Sequence, residues 1–390
     1  MDIGALMGET LFKTLMDVMN NPFTMLITII TVIIVLVIIV WITKMIIDLA
    51  PYAYVNARIR SREGKLLDSN KLNELIEAGS FEEILGLLAD TDYSEFIETL
   101  EKKDPLLVER AFDTYLANLY TFIYNISPDS AKKVLKILIK KYDIQNIKTL
   151  LRAKYLNLKP EEIHPLLIPL GELKDKLRDL TEVGSVEEIV RGLEGTEYFK
   201  ILQEILPEYE QTKKLLPLEL ALDKYYLESL KKEIMIEGKE EDLFREFIGL
   251  LIDIENLKVL LKAKSDNLPA DEIIKYLTDG YELPLWKLKE LAGASGIEGV
   301  ISGLEGTSYS QILAEKLEEF NKTKSVYVFE KALDNYLVDK SKRIALRKPF
   351  GLGPILSLII AKESEVKKLK TIIKGKLENL NPEEIKSLVS

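Results

Sequence analysis

An ordered internal repetition constrains the fold of this chain more than any other feature. The segment 79–93 begins Gly-Ser-Phe-Glu-Glu-Ile and continues to Thr91 and Tyr93, and its pattern returns 105 residues later over residues 184–198. A degraded version, 111 residues further on, covers residues 295–309. Self-similarity at such a period indicates copies of one structural unit stacked side by side.

Two further motifs recur in the same order as the first. The pattern E-x-A-[F/L]-D-x-Y occupies residues 109–115, 219–225 and 330–336. A basic pattern begins each unit at residues 56–58, 146–148 and 256–258, and it closes the chain as Lys368-Leu369-Lys370. We therefore predict helical modules at residues 49–142, 143–252 and 253–390, the last including a closing C-terminal helix.

Apolar residues beyond Pro51 recur at steps of three and four, and no sustained alternation of period two appears. This periodicity predicts an all-α fold. Gly-Ser before Glu-Glu is typical of a helix start, with serine as the N-cap. We also expect caps at Thr91, Thr196 and Thr307, and in each second motif an aspartate that bonds a neighbouring helix end. Three such modules can form an open solenoid or close into a pseudo-threefold cup, and the pattern alone does not choose.

A charge-free segment near the N-terminus predicts a transmembrane helix. No charged residue occurs from Val18 to Thr43, and the 21 residues from Phe23 to Thr43, apolar except for threonines, span about 31 Å as a helix, the thickness of a hydrocarbon core. The alternatives are a cleaved signal peptide, which the length and the acidic preceding residues disfavour, and a buried helix of a soluble protein. We assign residues 23–48 to this helix and its linker.

The charges on either side of this helix predict its orientation. Lys44, Arg58, Arg60, Arg62 and Lys65 follow it, whereas Lys13 alone precedes it. The positive-inside rule then predicts a single-pass protein of the cell membrane with its C-terminal bulk in the cytoplasm. Residues 1–22 form a predicted amphipathic segment that either extends the helix or lies on the membrane interface.

Composition and motifs disfavour catalysis. The chain has no cysteine and one histidine, His164, which removes thiolate chemistry and multi-histidine metal sites. No phosphate-binding loop of the G-x-x-x-x-G-K-[S/T] type is present. A formal charge of −10 disfavours nucleic acid as a partner. We predict no catalytic, cofactor-binding or metal-binding residue and interpret acidic pairs such as Glu82-Glu83 as helix starts.

Several segments together resemble one known family. They are residues 52–61 (YAYVNARIRS), the thrice-repeated unit with its Thr-x-Tyr end, and residues 347–351 (RKPFG) followed by Ala361-Lys362-Glu363. Over residues 50–390 the chain is similar to the C subunit of archaeal A-type (V/A-type) ATP synthases, a relative of the d subunit of eukaryotic V-ATPases. Members commonly begin near the equivalent of Tyr52, so the N-terminal helix is a departure.

The resemblance implies a non-catalytic central-stalk protein that takes part in ATP synthesis and ion transport. Its funnel of three helical modules is expected to seat on the membrane rotor ring of c/K-type proteolipids and to receive the D and F proteins of the central shaft. Torque then passes between ion flow and ATP chemistry, and no cofactor or small-molecule substrate is implied. The coupling ion (H⁺ or Na⁺) and the position of the N-terminal helix relative to the ring stay open.

Two other interpretations remain at this point. A membrane-anchored helical-repeat adaptor of another complex accounts for the repeats and the apolar helix equally well. A membrane-tethered enzyme that uses carboxylates accounts for the acidic pairs.

Overall fold

The computed structural model describes Met16 and residues 22–236, 241–347 and 349–389. Within these ranges the chain folds into helices and turns without a β-strand, so the prediction of an all-α fold is confirmed. Two compact units divide between Tyr54 and Val55. Apart from Met16 and Pro22, the predicted amphipathic segment 1–22 lies outside the described residues.

The first unit contains the apolar part of helix α1, which runs from Pro22 to Glu63. The stretch Pro22–Ile47 is long and apolar enough to cross a membrane, and none of its residues is buried within the protein. Thr28 and Thr31 donate their hydroxyl protons to carbonyls four residues earlier, at 2.8 and 2.9 Å. These two polar groups are therefore satisfied within the helix, as an apolar environment requires.

The second unit is built from the end of α1 and nineteen further helices within the described ranges. They are α2 (Ser69–Glu77), α3 (Phe81–Leu88), α4 (Ser94–Glu98), α5 (Pro105–Ile126), α6 (Asp129–Tyr155), α7 (Pro160–Ile163), α8 (Lys174–Asp179), α9 (Val186–Gly192), α10 (Glu197–Thr212), α11 (Leu216–Ile236), α12 (Glu241–Ser265), α13 (Ala270–Ile274), α14 (Leu285–Gly293), α15 (Gly296–Gly303), α16 (Ser310–Ala314), α17 (Leu317–Thr323), α18 (Tyr327–Arg347), α19 (Leu352–Leu377) and α20 (Pro382–Val389). Short 3₁₀ turns follow α7 and α8.

The first repeated motif starts a helix in two copies as predicted. Ser80 and Ser185 accept the backbone N–H groups of Glu83 and Glu188, both at 3.2 Å. In the degraded third copy, Ser295 precedes α15 but makes no side-chain cap. The loss fits the changed sequence, because Gly296, which has no side chain, stands at the position that Ser80 and Ser185 occupy in the other copies.

The side-chain capping bonds predicted for the three threonines are not made. Thr91, Thr196 and Thr307 each donate a hydroxyl proton back to a leucine carbonyl three residues earlier, at 2.7 Å in all three copies. The hydroxyls therefore close the preceding turn. Two of the following helices instead have tyrosine at the N-cap, and α10 has Thr196 there without a side-chain bond.

Buried tyrosines connect the first motif to the second in each copy. Tyr93, Tyr198 and Tyr309 are almost fully buried. Their rings lie 4.6, 5.8 and 5.8 Å from those of Tyr115, Tyr225 and Tyr336, respectively. Tilted and edge-on contacts at these distances are favourable for aromatic pairs. The tyrosines of the second motif thus fill gaps between helices.

The three longest helices after α1 end in the same turn. Asn157, Asn267 and Asn379 follow α6, α12 and α19 with left-handed φ angles of 57°, 58° and 56°. In each case the next residue, a leucine, donates its N–H to a carbonyl five residues earlier, at 2.9–3.0 Å. Asparagine tolerates this conformation better than other non-glycine residues, and a proline two or three residues after the asparagine ends the turn. This repeated Asn-Leu turn was not predicted from the sequence.

The final long helix packs against the beginning of the chain. Helix α19 contacts α5 and α3, just as α6 contacts α11 and α9, and as α12 contacts α18 and α15. Helix α20 in turn contacts α2. The C-terminal helices therefore supply the first copy with the partner that the other two copies obtain from the helix just before them.

Candidate functional site

The histidine and the acidic pair that the sequence analysis weighed as reactive groups lie apart from one another, and their side chains contact neighbouring residues of the fold. His164 lies 3.1 Å from the Thr181 hydroxyl, and the Glu83 carboxylate accepts the N–H of Gly79 at 2.7 Å. In the part of the chain that the structure describes, no group of three or more Asp, Glu or His side chains is arranged to hold a metal ion. The repeated features are instead ion pairs between helices.

Two ion pairs in the second copy define the arrangement. Arg152 of α6 donates two hydrogen bonds to Glu219 of α11, at 2.5 and 2.7 Å. One turn earlier on α6, Lys148 pairs with Asp223 of α11. Residues four apart lie on one face of a helix, so the two pairs form successive rungs between antiparallel helices. We call such a set of rungs an ion-pair ladder.

The first copy has the same ladder, with its basic side supplied from the far end of the chain. Lys370 and Lys374 of α19 pair with Asp113 and Glu109 of α5, at 2.5 and 3.5 Å. Asp113 and Lys370 are separated by 257 residues in sequence. Arg58, which the basic motif offered as the first-copy equivalent, instead lies over the Phe122 ring.

In the third copy a lysine from each of two helices meets the repeated aspartate. Asp334 of α18 accepts from Lys258 of α12 at 2.7 Å and from Lys367 of α19 at 2.5 Å. Lys258 also contacts Glu255 at 2.7 Å. The aspartate of the second motif was expected to bond a helix end, whereas in all three copies it pairs with a lysine within a facing helix.

Burial and charge compete at these carboxylates. Burial raises the pKa of Asp113 and of Asp223, although the lysines opposite them act to lower it. At Asp334 burial also acts to raise the pKa, but Lys258 and Lys367 outweigh it and the pKa falls below its usual value. The charged form of Asp334 is therefore the form that these two lysines stabilise.

A second set of acidic residues holds the loops that follow the long helices of the second and third copies. Asp143 accepts the N–H groups of Glu172 and Leu173 at 3.0 and 2.9 Å. Asp253 accepts those of Tyr281 and Glu282 at 2.9 and 2.8 Å. Burial raises the pKa of Asp253 to about 6, even though these hydrogen bonds act to lower it.

Glu365 plays the corresponding part for the first copy. Its carboxylate accepts the Leu67 N–H and the Tyr93 hydroxyl proton, each at 2.5 Å, and the fully buried Lys362 donates to it at 2.7 Å. As with the ladder, the first copy obtains this group from α19.

Three asparagines bind neighbouring backbone through both atoms of the amide. Asn146 donates to the Ile168 carbonyl at 2.9 Å and accepts the Ile168 N–H at 2.8 Å. Asn256 makes the same two bonds with Thr278, at 2.5 and 2.9 Å. Asn56, with its amide oriented to satisfy its partners, makes them with Gly351 at 3.2 and 2.9 Å. The buried asparagines of the basic motif thus fix loops and helix starts.

A cluster around Glu363 ties α19 to the α5–α6 hairpin. The hydroxyl groups of Tyr120 and Tyr142 donate to Glu363 at 2.6 and 2.5 Å, and Lys141 pairs with the same carboxylate. Glu363 belongs to the Ala-Lys-Glu segment that carried the family resemblance, as does the buried Lys362. Both residues therefore act in holding the C-terminal helix against the first copy.

The ion-pair ladders were not predicted from the sequence, although the spacing of the charged residues indicates them. Each second motif carries Glu and Asp four residues apart, and each basic segment carries two basic residues four apart. The basic pairs are Lys148/Arg152, Lys258/Lys262 and Lys370/Lys374. Matching these spacings would have identified the two kinds of partner face, but Arg58/Arg62 has the same spacing, so it would not have shown that Lys370/Lys374 serves the first copy.

Comparisons with known proteins agree with this architecture. Residues 55–388 match the family described as "ATP synthase (C/AC39) subunit". The chain is 64% identical to the C subunit of the A-type ATP synthase of Methanocaldococcus jannaschii, over all of this chain and 99% of that protein. It is 39% identical to the protein of the same name in Methanobrevibacter smithii, over 92% and 93% of the two chains, and 33% identical to that of Pyrococcus horikoshii, over 87% and 90%. The chain belongs to the ATP synthase (C/AC39) subunit family.

Proposed function

We propose that this chain is the non-catalytic central-stalk component of an A-type ATP synthase, carrying torque between the membrane rotor ring and the central shaft. The ring is of c/K-type proteolipids, and the shaft contains the D and F proteins. ATP synthesis and hydrolysis take place elsewhere in the complex, and this chain contributes a rigid mechanical connection.

The observation that carries the proposal is the ion-pair ladder of the first and second copies, together with the third copy's Asp334, which joins Lys258 of α12 and Lys367 of α19. A helix pair joined by two rungs has a preferred register, because a slide of one turn, about 5.4 Å, leaves one cation and one carboxylate without a partner. The rungs are partly buried, so a broken rung leaves a poorly solvated charge behind. Resistance to sliding between helices is the property that a torque-bearing part needs.

The ladder of the first copy supports a closed arrangement. Because its basic side comes from α19, the last helices return to the first copy, which favours a pseudo-threefold funnel over an open solenoid. We propose that one end of this funnel seats on the membrane rotor ring and that the other end receives the central shaft. A shear load is then shared among three modules.

The apolar helix supports attachment to the membrane. We propose that Pro22–Ile47 is a single-pass span, with the second unit on the cytoplasmic side according to the flanking charges. A central position within the ring lets such a span rotate with the rotor without meeting the stator. Deleting residues 1–48 and measuring binding to the purified ring in detergent tests this role, and an unchanged affinity would remove it.

Electron microscopy of the synthase purified through a tag on this chain tests the main proposal. We expect one copy per complex, located between the ring and the shaft and in contact with both. Recovery of the chain with other proteins but without the ring and shaft proteins would contradict the proposal and favour a helical-repeat adaptor.

A further inference from the structure

Three segments of the second unit meet on one face. They are the end of α1 (residues 55–63), the turn between α5 and α6 with its flanking turns of helix (residues 116–141), and the corresponding part of the α18–α19 hairpin (residues 337–361). Asn56 bonds the backbone of Gly351 in the third segment. Arg58 and Arg62 lie over Phe122 of the second segment, at 5.4 and 4.3 Å from its ring centre.

The charge of these segments is opposite to that of the chain. Together they contain thirteen basic and three acidic residues, a formal charge of +10, whereas the whole chain carries −10. The equivalent segment of the second copy, residues 226–250, has four basic and seven acidic residues. Three of the basic residues pair with carboxylates outside the segments: Lys140 with Glu197, Lys141 with Glu363 and Arg347 with Glu246. The remaining excess of positive charge is a property of this face and not of the repeated unit.

Many of these side chains point to solvent. Arg58, Arg60, Lys342, Arg343 and Lys136 are exposed. Two apolar residues accompany them at the α18–α19 turn, where Leu346 and Phe350 are 75% and 56% exposed. We call this surface, formed by the described residues of 55–63, 116–141 and 337–361, the basic face.

We propose that the basic face binds the anionic headgroups of a lipid bilayer. Basic residues beside exposed apolar ones are typical of surfaces that contact phosphate headgroups and the acyl boundary together. In the sequence, the candidate span ends at Ile47, eight residues before the face begins at Val55. A nucleic acid fits less well, because the rest of the chain carries a formal charge of −20. This contact does not depend on the torque-carrying role.

The absence of cysteine allows one site to report on the contact in the full-length protein. A fluorophore on Leu346→Cys is followed in vesicles that contain a lipid with a quencher on its headgroup. We expect about twofold more quenching with phosphatidylglycerol than with phosphatidylcholine alone, and loss of the difference in about 0.5 M salt. A fluorophore on Gln211→Cys, at the exposed end of α10, serves as the reference position.

Charge-reversal variants distinguish lipid binding by the basic face from an effect of the overall charge of the protein. The variant Arg60→Glu/Lys342→Glu/Arg343→Glu is expected to abolish the phosphatidylglycerol effect at Leu346→Cys. The control Lys174→Glu/Lys200→Glu/Lys214→Glu has the same net charge, with all three changes at exposed positions outside the face, and is expected to retain the effect. Equal quenching in both lipids, retention of the effect in the first variant, or quenching that appears only when rotor-ring protein is added would each overturn the proposal.

Discussion

The first and second copies of the repeat have the same ion-pair ladder, but the paired residues are separated by very different lengths of chain. In the second copy Lys148 and Asp223 are 75 residues apart, whereas in the first copy Asp113 and Lys370 are 257 residues apart. Glu365 likewise reaches back 298 residues to Leu67. Equivalent geometry therefore arises from local sequence in one copy and from the far end of the chain in the other.

This difference has a consequence for folding. Contacts between distant segments form only after a large loop is closed, so the first copy depends on α19 arriving late. The second copy contains its own long helix and can assemble from neighbouring segments. The first copy is thus the region where loss of the C-terminal helices has its greatest effect.

Removing residues 352–389 gives the largest expected effect. Without α19, α5 loses the partner of its buried face together with Lys370 and Lys374, and its amide protons should exchange with solvent at rates close to those of an unfolded chain. The α6–α11 pair should stay protected. Hydrogen exchange with mass spectrometry measures both regions in one sample.

A shorter truncation provides the control. Ending the chain after Leu377 removes α20 but keeps the first ladder, so α5 should retain most of its protection. Equal loss of protection in α5 and α11 after the longer deletion would show that the copies do not differ in this way.

The pH dependence of the third copy gives the next largest effect. The pKa of Asp253 is about 6 in the folded protein against an ordinary value near 3.8. The folded state therefore binds this proton more tightly, and the contribution to stability is greatest below about pH 4 and is lost as pH rises to about 6. The expected loss is about 3 kcal/mol.

Urea unfolding between about pH 4 and pH 7 measures that contribution. The stability of the wild-type protein relative to Asp253→Asn should fall across the window and level off above about pH 6 to 7. A difference that stays constant with pH would show that Asp253 has an ordinary pKa in the folded state.

Double-mutant cycles compare the two ladders directly. Combining Asp113→Asn with Lys370→Gln, we expect a coupling of about 1–2 kcal/mol in the free energy of unfolding. The Asp223→Asn/Lys148→Gln cycle should give less, because the Asp223 side chain is 34% exposed and that of Asp113 only 14%. The exposed pair Lys322 and Glu318 is the control and should show no measurable coupling.

The smallest effect concerns the shared asparagine turn. Asn157→Ala and Asn379→Ala each place alanine at a left-handed φ and should cost about 1 kcal/mol, whereas glycine at either position should be nearly neutral. Thermal unfolding of the four variants tests whether the turns that end α6 and α19 are equivalent. Unequal costs at the two positions would show that only one turn is held by its local conformation.

Local features of the fold could be predicted from the sequence. The period of the apolar residues gave the helices, and Ser80 and Ser185 were recognisable caps because their function depends on the next three residues. The threonine caps could not be predicted correctly, because the hydroxyls of Thr91 and its equivalents donate to a leucine carbonyl three residues earlier. The geometry of the turn decides which of these bonds forms. The apolar helix could be predicted because the length and composition of a segment are sufficient to identify a candidate membrane span.

Features that depend on distant segments were missed. Arg58 matched the local motif, but Lys370 occupies the ladder, and no local pattern distinguishes them. The total charge of −10 concealed the basic face, since its three segments are far apart in sequence. The expectation of a funnel rested on family resemblance, and the pairing of Asp113 with Lys370 is the contact that favours it.

A charge swap at Asp113 and Lys370 in the purified synthase tests the central claim most directly, with ion-driven ATP synthesis and ATP hydrolysis measured on the same membranes. We predict that Asp113→Lys leaves hydrolysis largely intact but greatly reduces synthesis, and that Asp113→Lys combined with Lys370→Asp restores synthesis. If Asp113→Lys is incorporated into the complex and supports synthesis as well as the wild type, the ladder does not carry torque and the account is contradicted.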